Sequence, residues 1–340
     1  MPAISVRAFE PRDTTPAARL LAARHRRDRA RLPVLRADLE EERPCGVTVE
    51  RLAGNVRAGG VVATSAAGEM LGFLFGEKMT LAPTAFGSMY VPPHSIAIPI
   101  DGHAVHADSD PTAVYRLMYA SLAEQWVKNG FFEHQTHIVP GDPAVEEAWV
   151  SLGFGRGTTA AVRSTGPVEV HHKTNVEIHQ ASSEDFAVVS GLSDALTAFH
   201  SHAPIFWPLL NEPRHAAEEA HRGLLADPRN AHFVAYEDGK AVAMQTFARP
   251  GFTPSIVEPE GNVYLFEGMV EETARSGGIG TALLAHSMAW ARHQGDQRCT
   301  LHFASANPSG APFWLGQGFV PVEYQMARHV DERIGWARDW

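Results

Sequence analysis

RSGGIGT, residues 275–281, lies between a strand-like run, VYLFEGMV (263–270), and a helix-like run at 279–294. Glycine lets a backbone approach phosphate closely, and the first N–H groups of a helix point towards an anion placed there. Arg275 adds a positive charge that can form paired hydrogen bonds with phosphate oxygens. The stretch therefore predicts an anion-binding loop between a strand and a helix.

Two common phosphate-binding loops do not fit this stretch. A Walker A loop requires Lys followed by Ser or Thr after its last glycine, and Thr281 follows Gly280 here. A dinucleotide fingerprint requires Gly-x-Gly-x-x-Gly early in a βαβ unit. The order Arg-x-x-Gly-x-Gly instead resembles the acyl-CoA loop of the GCN5-related N-acetyltransferase (GNAT) family, which follows the fourth strand of that fold.

A second motif of the same family lies downstream of a strand-like run at 299–304. It consists of Asn307-Pro308, the aromatic pair Phe313-Trp314 and Gly318-Phe319, in the order and spacing that the family uses. In the family the aromatic pair packs on the core, and the start of this short helix faces the pantetheine arm of the cofactor. The resemblance covers about residues 175–330.

The resemblance implies acetyl-CoA as co-substrate and a set of residues that bind it. In the family, backbone groups at the end of the fourth strand hold the pantetheine amides and the reacting oxygen, and the glycine-rich loop holds the pyrophosphate. Carried over residue by residue, the set is Met269, Val270, Arg275, Gly277, Gly278, Ile279, Gly280, Thr281, Asn307, Phe313 and Trp314.

The chain also repeats itself at a distance of 165 residues. His302 falls on His137, Trp314 on Trp149 and Gly318-Phe319 on Gly153-Phe154. These matches mark strand ends, helix ends and the aromatic motif, so we predict two copies of one fold. The predicted fold class is α/β (α+β): two tandem GNAT folds, each with a mixed, mostly antiparallel sheet flanked by helices. The predicted domains are 1–165 and 175–340, joined by a linker at 166–174.

The two copies differ at the cofactor loop. The positions of Arg275 and the three glycines are occupied in the first copy by Asp110, Thr112, Ala113 and Tyr115. A carboxylate repels pyrophosphate, and side chains at the glycine positions block close approach of the backbone. We therefore predict that the first copy is a degenerate scaffold without a cofactor loop. The alternative is that it binds acyl-CoA in another way.

Glu267 is the candidate catalytic base, because many family members carry an acid at this point of the fourth strand. The alternatives are a surface carboxylate without a role and a water chain that takes the amine proton. Trp314 stands where many members have a tyrosine that protonates the leaving thiolate. An indole N–H cannot serve as that acid. The residues that could replace it are Tyr264, His302 and Tyr324.

The segment at 196–211 is the candidate acceptor site, because in this fold it lies between the first two helices on the acceptor side. The predicted substrate-binding residues are Phe199, His200, Phe206 and Trp207. Aromatic side chains suit a ligand with a ring or apolar body, or a cation held against their faces. The alternative is that these aromatic residues pack the boundary between the two copies.

Composition narrows the function classes. The net charge of −10 disfavours a general nucleic-acid binder, which is usually basic. Two cysteines form no disulfide framework. His200 and His202 lack the further ligands that would complete a metal site. The first 13 residues do not resemble a signal peptide, and apolar runs are shorter than a membrane span. We expect a cytoplasmic monomer or homodimer that binds neither metal, nucleic acid nor membrane.

The leading interpretation is an N-acetyltransferase that transfers an acetyl group from acetyl-CoA to the amine of a small molecule. An amino sugar, an antibiotic, a polyamine or an amino acid derivative would all suit it. One alternative is acetylation of a protein N-terminus or lysine, which requires an open groove for a peptide. Another is a regulatory protein that binds acyl-CoA without catalysis, and Trp314 in place of tyrosine favours it.

Overall fold

The computed structural model describes residues 4–249 and 251–337. The N-terminal half contains four helices and seven strands: β1 (Ser5–Ala8), α1 (Thr14–Arg31), α2 (Glu42–Ala53), β2 (Ala58–Thr64), β3 (Met70–Thr80), β4 (His94–Ile98), β5 (His103–Val105), α3 (Pro111–Lys128), β6 (Glu133–Ile138), α4 (Pro143–Val150) and β7 (Gly155–Ser164). The C-terminal half repeats much of this order: β8 (Glu177–Gln180), α5 (Phe186–His200), α6 (Arg214–Ala226), β9 (Ala231–Glu237), β10 (Lys240–Ala248), β11 (Asn262–Val270), α7 (Ile279–His293), β12 (Arg298–Ala304), α8 (Gly310–Gly316), β13 (Val320–His329) and α9 (Ile334–Ala337).

All of these strands join one sheet of mixed but mostly antiparallel pairing. Its order is β1-β2-β3-β4-β6-β13-β7-β12-β11-β10-β9-β8, and β5 pairs with β3 beside this path. Only β4 with β6 and β11 with β12 pair in parallel among the described strands. The predicted α/β class, with a mostly antiparallel sheet flanked by helices, is confirmed.

Within this one sheet, the last strand of each half pairs with a strand of the other half. β13 from the C-terminal half pairs with β6, and β7 from the N-terminal half pairs with β12. The two exchanged strands also pair with each other, from Val320 opposite Val162 to Ala327 opposite Gly155. The division at 166–174 therefore stays a prediction, since cutting the chain there would remove one strand from each sheet.

The 165-residue repeat is visible in the elements. A shift of that length carries β7 onto β13 with identical bounds, and it carries the start of β6 onto the start of β12. Helices cover both faces of the sheet in each half. In the C-terminal half α7 and α8 pack on one face, and α5 packs on the other. The strand β11 between these layers can thus present side chains to two different environments.

Three local expectations need correction. The apolar run at 96–105 predicts a single strand, but the structure has the two short strands β4 and β5, because Pro99 and the turn to Gly102 interrupt the pairing. The sequence predicts a helix at 183–192, but α5 continues to His200, so the first part of the candidate acceptor segment at 196–211 is helical and does not lie between two helices. The helix α2 was not predicted, although its buried Cys45, Val49 and Leu52 follow helical spacing.

A buried ion pair holds the exchanged strand β13 to β6. His137 Nδ1 lies 3.0 Å from Glu323 Oε1, and Glu323 is 4% exposed. Burial lowers the pKa of His137, but the charge and hydrogen bond of Glu323 outweigh it and the pKa is raised. Burial likewise raises the pKa of Glu323, yet His137 outweighs it and the pKa is lowered. Each group therefore stabilises the charged form of the other across the boundary between the halves.

No helix in the described part of the chain is both long and apolar enough to cross a bilayer.

Candidate active site

The N-terminus of α7 is built to receive an anion. Gly278 is its N-cap residue with a φ of 83°, and no described side chain caps this end. The N–H groups of the first helical turn have no partner within the helix, and the helix dipole adds positive potential there. Gly277 is exposed, and a Cβ there would contact only a carbonyl oxygen at 3.9 Å. The predicted anion-binding loop thus has open backbone donors.

The linker lies beside this loop. A Cβ built on Gly278 would lie 2.9 Å from the Cβ of His172, so glycine is needed for space as well as for its backbone angle. A cavity of about 360 Å³ opens between residues 167–172, the start of α7 and residues 316–318. Thr281 faces this cavity, and its Oγ1 accepts a hydrogen bond from Gln317 at 3.3 Å. The Ile279 side chain is buried in the core, so only its backbone can reach a ligand.

The matching helix end in the N-terminal half is closed by its own side chains. Asp110 accepts a hydrogen bond from the Thr112 N–H at 3.0 Å, which caps α3. Tyr115 is 1% exposed, and its hydroxyl lies 2.7 Å from His103 Nδ1. Its ring packs 5.0 Å from that of Trp149. The residues that replace the glycines therefore fill space and satisfy the helix end, although loss of cofactor binding in this half stays a prediction.

Arg275 connects the loop to the end of β11. Its Nε donates to the Val270 carbonyl at 3.0 Å, and its guanidinium lies 4.6 Å from the centre of the Phe199 ring. This places Phe199, a predicted substrate-binding residue, against the arginine of the cofactor loop. The hydrogen bond from Arg275 also uses the Val270 carbonyl, which the family resemblance assigned to binding the cofactor. A ligand at this carbonyl would have to share it or move Arg275.

The strands β11 and β12 part in the middle of the sheet. They pair in parallel only as far as Leu265 opposite Leu301. Beyond that point β11 continues with β10 to Val270, whereas β12 continues with β7 to Ala304. The backbone of β11 is therefore free on one side after Leu265, which leaves N–H and C=O groups available at an opening in the sheet.

A β-bulge in β11 decides which face each side chain reaches. Thr246 lies opposite Glu267 and Phe247 opposite Leu265, so Phe266 is the extra residue. A bulge shifts the alternation of side chains by one position. Leu265 consequently packs on the α7 side, while Met269 packs on the α5 side. Glu267, two residues before Met269, therefore also faces α5 and α6.

Glu267 lies in a buried polar cluster with Ser193 of α5 and His221 of α6. The Ser193 hydroxyl donates to Glu267 Oε1 at 2.8 Å. His221 Nε2 lies 3.1 Å from Oε2 and 3.2 Å from Oε1 of Glu267. All three residues are between 6% and 8% exposed. The carboxylate is thus held by two side chains rather than lying on a strand surface.

The backbone fixes where the proton of His221 lies. His221 Nδ1 is 2.8 Å from the Ala217 carbonyl, which can only accept, so Nδ1 carries a hydrogen. Nε2 then faces the carboxylate and donates a hydrogen bond to it when the imidazole is protonated. Burial lowers the pKa of His221, but the hydrogen bond and charge of Glu267 outweigh it and the pKa is raised. The pair can therefore take up and release one proton as a unit.

The remaining predicted residues occupy mixed positions. Asn307 is buried, and its Oδ1 accepts from the backbone of Ser309 and Gly310, so it shapes the start of α8. Phe313 lies 3.3 Å from a Cβ built on Gly280. The Phe206 side chain is 70% exposed. His200 packs 5.0 Å from the Trp207 ring, and burial lowers the pKa of His200 while Glu267 counteracts it.

The proposed substitutes for a general acid have other partners. The Tyr264 hydroxyl lies 2.9 Å from His302 Nδ1, and burial lowers the pKa of His302 to about 4. Burial also raises the pKa of Tyr264. Tyr324 lies under the Arg156 guanidinium at 3.4 Å. A neutral histidine and a phenol that is harder to ionise can exchange a hydrogen bond but are poor sources of a proton near neutral pH.

Comparisons with known proteins place these motifs in a family. Residues 196–319 match the model of the acetyltransferase (GNAT) family. They form a GNAT-family acetyltransferase domain. No curated protein matches the chain. The family uses acetyl-CoA as co-substrate. The matched region contains the glycine-rich loop, Glu267 with His221, and the aromatic motif, whereas Ser193 lies just before it.

Solved structures extend the fold to almost the whole chain. A GCN5-related N-acetyltransferase from Sphaerobacter thermophilus is 14% identical, with a TM-score of 0.56 over 96% of this chain and 95% of that one. A fungal protein described as a glucosamine N-acetyltransferase region of a multi-domain β-N-acetylglucosaminidase is 13% identical. Its TM-score is 0.52 over 96% of this chain and 38% of that one. At these identities the likeness concerns the fold alone.

The residues present fit acetyl-CoA in the GNAT domain. The uncapped end of α7, the exposed Gly277 and the positive charge of Arg275 suit pyrophosphate. The open side of β11 after Leu265 offers backbone groups for pantetheine amides. Within residues 4–249 and 251–337, no three His, Cys, Asp or Glu side chains are grouped so that they could hold a metal ion.

Trp314→Tyr is expected to leave kcat unchanged or lower it. Trp314 is 8% exposed and packs against Phe313 and Phe319, and a Cβ on Gly268 would lie 3.0 Å from its ring. A smaller phenol leaves space and buries a hydroxyl that needs a partner, which costs about 0.5–3 kcal/mol of stability. Initial rates of thiol release and the thermal unfolding midpoint measure both effects.

Trp149→Tyr is the matched control for this substitution, because Trp149 occupies the equivalent place in the N-terminal half and is fully buried. It should lower stability without affecting acetyl-CoA binding. A clear increase in kcat for Trp314→Tyr alone would contradict a packing role and would mean that the indole blocks protonation of the thiolate.

Proposed function

We propose that this protein is an acetyl-CoA-dependent N-acetyltransferase that acylates the amine of a small molecule, and that one acetyl-CoA binds per chain, in the C-terminal half. The observation that carries the proposal is the position of β11. One end of this strand leads into the uncapped N-terminus of α7, and its bulge directs Glu267 towards the opposite face. The glycine-rich loop proposed to bind acetyl-CoA and the candidate base are therefore separated by only a few residues along the chain.

The proposed chemistry requires removal of a proton from the acceptor amine. Glu267 and His221 receive that proton as a pair when His221 is neutral, and Ser193 holds the carboxylate in place through its hydroxyl. The bound acetyl-CoA supplies the acetyl thioester. A backbone N–H of β11 beyond the bulge is the candidate donor to the thioester oxygen, since this part of the strand has no neighbour in β12.

The specific observation that favours a non-catalytic acyl-CoA-binding protein is Trp314. The Glu267–His221–Ser193 cluster favours the enzyme, because it lies on the strand that leads into the glycine-rich loop, and a carboxylate coupled to a histidine at such a place is a candidate for proton transfer. Release of free thiol from acetyl-CoA across a panel of amines separates the two functions. Binding of acetyl-CoA without thiol release for any amine would favour the non-catalytic protein.

Arg275→Ala is expected to weaken acetyl-CoA binding by roughly 1.5–3 kcal/mol, the scale of a hydrogen bond to a charged group. Gly280→Tyr, which copies the N-terminal half, should abolish binding, because even a Cβ there lies 3.3 Å from Phe313 and 3.4 Å from Val270. Isothermal titration calorimetry measures both affinities and the stoichiometry, which we expect to be one per chain.

Arg222→Ala is the matched control, because Arg222 also lies over a phenylalanine ring, that of Phe186 at 3.6 Å, but on α6 rather than on the loop. It should bind acetyl-CoA normally. Wild-type affinity in Arg275→Ala, or two equivalent sites in the wild-type protein, would contradict the assignment of the loop.

A further inference from the structure

A segment of the N-terminal half lies over the Glu267 cluster of the C-terminal half. The short 3-10 helix Phe86–Met89 packs against α6, the helix that carries His221. The Phe86 ring lies 6.2 Å from the ring of Phe266, the bulged residue of β11. Tyr90 continues this surface, with its ring 5.5 Å from that of Phe86. Two aromatic residues of one half thus face the candidate catalytic strand of the other.

A second set of aromatic residues completes the surface from the C-terminal half. The Phe252 ring lies 6.2 Å from that of Phe266 and 5.7 Å from that of Tyr264. Phe252 remains 60% exposed and Tyr90 49% exposed. Tyr90 and Phe252 are connected through the rings of Phe86 and Phe266, and a contiguous group of exposed aromatic side chains is typical of a ligand-binding surface. We call Phe86, Tyr90, Phe252 and Phe266 the aromatic wall.

The aromatic wall lies beside the group that takes the amine proton. Phe266 directly precedes Glu267, and its ring lies 6.2 Å from the His221 ring. The protein around its hydroxyl raises the pKa of Tyr90, although 49% of the residue as a whole stays exposed, and the charge of Glu267 raises that pKa further. A ligand that contacts the wall can therefore place an amine near Glu267 and His221.

On this basis, and resting on the proposed function, we infer that the acceptor is a primary amine carried on an aromatic ring system, and that Phe86 and Tyr90 of the N-terminal half select it. A ring stacks or packs edge-on against the wall, and the ammonium group is attracted both to aromatic faces and to the Glu267 carboxylate. The four side chains of the wall offer a single hydroxyl. An amino sugar, whose several hydroxyl groups each need a polar partner when desolvated, fits this surface poorly. A polyamine would be better matched by several carboxylates than by four rings.

The experiment compares kcat/KM for 2-phenylethylamine, glucosamine and spermidine, measured as thiol release from acetyl-CoA. The expected result is a clear preference for 2-phenylethylamine in the wild-type protein. Phe86→Leu and Tyr90→Leu keep apolar volume but remove a ring, so each should raise the KM for 2-phenylethylamine by about 2- to 30-fold, the scale of a cation–π contact. The kcat and the KM for acetyl-CoA should change little.

Trp336→Ala is the control, because this residue is an exposed aromatic side chain, 76% accessible, on the separate helix α9. It should leave all three KM values unchanged. Preference for glucosamine or spermidine, or unchanged KM values in both leucine variants, would overturn the inference while leaving the N-acetyltransferase function intact. If no amine caused thiol release, the proposed function would be contradicted, and the inference would fall with it.

Discussion

Glu267→Gln is expected to lower kcat by about 10²- to 10⁴-fold while acetyl-CoA binding stays near that of the wild-type protein, since a positioned general base contributes on this scale. The amide keeps the shape of the side chain but cannot accept a proton from the amine. The cofactor loop lies beyond the end of β11 and is not altered. Steady-state kinetics with a saturating amine and calorimetry with acetyl-CoA measure the two quantities separately.

The pH profile of kcat/KM adds a second measure of the same substitution. The pair accepts a proton only when His221 is neutral, so activity should rise with pH through the pKa of His221, which Glu267 raises and Asp194 raises further. Glu267→Gln removes the main group that raises the pKa of His221. The remaining activity should therefore increase with pH over a lower pH range than in the wild-type protein. An unchanged kcat and an unchanged profile would remove Glu267 from the mechanism and favour deprotonation through water.

Glu260→Gln is the control for this experiment. Glu260 precedes β11 and is exposed, so its substitution should change neither kcat nor the pH profile. His221→Gln, which removes the partner instead of the carboxylate, should abolish the limb of the profile that belongs to the pair. A limb that persists in His221→Gln would have to come from another group, such as the acceptor amine itself.

Glu323→Leu is expected to lower the free energy of unfolding by about 3–5 kcal/mol, because removing one member of a buried ion pair leaves the other charge without compensation. The affected partner is His137, on the neighbouring strand from the other half. Loss of the pair therefore weakens the joint between the exchanged strand β13 and β6. Denaturant unfolding followed by tryptophan fluorescence measures the change.

The effect of Glu323→Leu should depend on pH in a defined way. The pKa of His137 is raised, so its contribution is complete below its ordinary value of 6.5 and is lost as pH rises through the folded value. The pKa of Glu323 is lowered, so its contribution is complete above its ordinary value of 4.5 and is lost as pH falls through the folded value. The difference from wild type should be greatest between about pH 4.5 and 6.5.

Glu332→Leu is the control, because Glu332 is an exposed carboxylate just after β13. Its substitution should alter stability by less than about 0.5 kcal/mol at any pH in this range. A pH-independent loss in Glu323→Leu would mean that leucine fits badly at this site and that the ion pair contributes little.

Local sequence was sufficient to predict a glycine-rich turn between a strand and a helix, whereas its binding of acetyl-CoA stays a prediction. Gly278 adopts a positive φ at the start of α7, and Asp110 caps the matching helix in the N-terminal half. Both features depend on a few consecutive residues, whose backbone angles and hydrogen bonds are set by residue type. The assignment of Glu267 as the candidate base stays a prediction, but the structure supplies it with a buried environment.

The partners of Glu267 could not be predicted in the same way. Ser193 and His221 lie on separate helices, 74 and 46 residues away from it along the chain. Helical periodicity indicates which face of a helix is buried, but it does not say which strand that face meets. The bulge at Phe266 is equally invisible, because the extra residue is defined only by the register of β10 against β11. The contact of Phe86 with Phe266 requires both halves to be assembled.

The 165-residue repeat separates the features that the sequence predicts from those that depend on tertiary structure. From the sequence alone, a shift of 165 residues related two copies of one fold, and the bounds of β7 and β13 agree with that shift. Because β7 and β13 have the same length and the same place in the repeat, either strand could form the same backbone hydrogen bonds with β6 or with β12. Side chains that meet only in the folded protein, such as His137 and Glu323, distinguish the two arrangements. The sequence by itself therefore determined the strand, glycine-rich turn and helix around residues 275–281 and the 165-residue equivalence of β7 and β13. Only the tertiary structure decided that the halves exchange their last strands, because that choice depends on contacts between residues far apart in the chain.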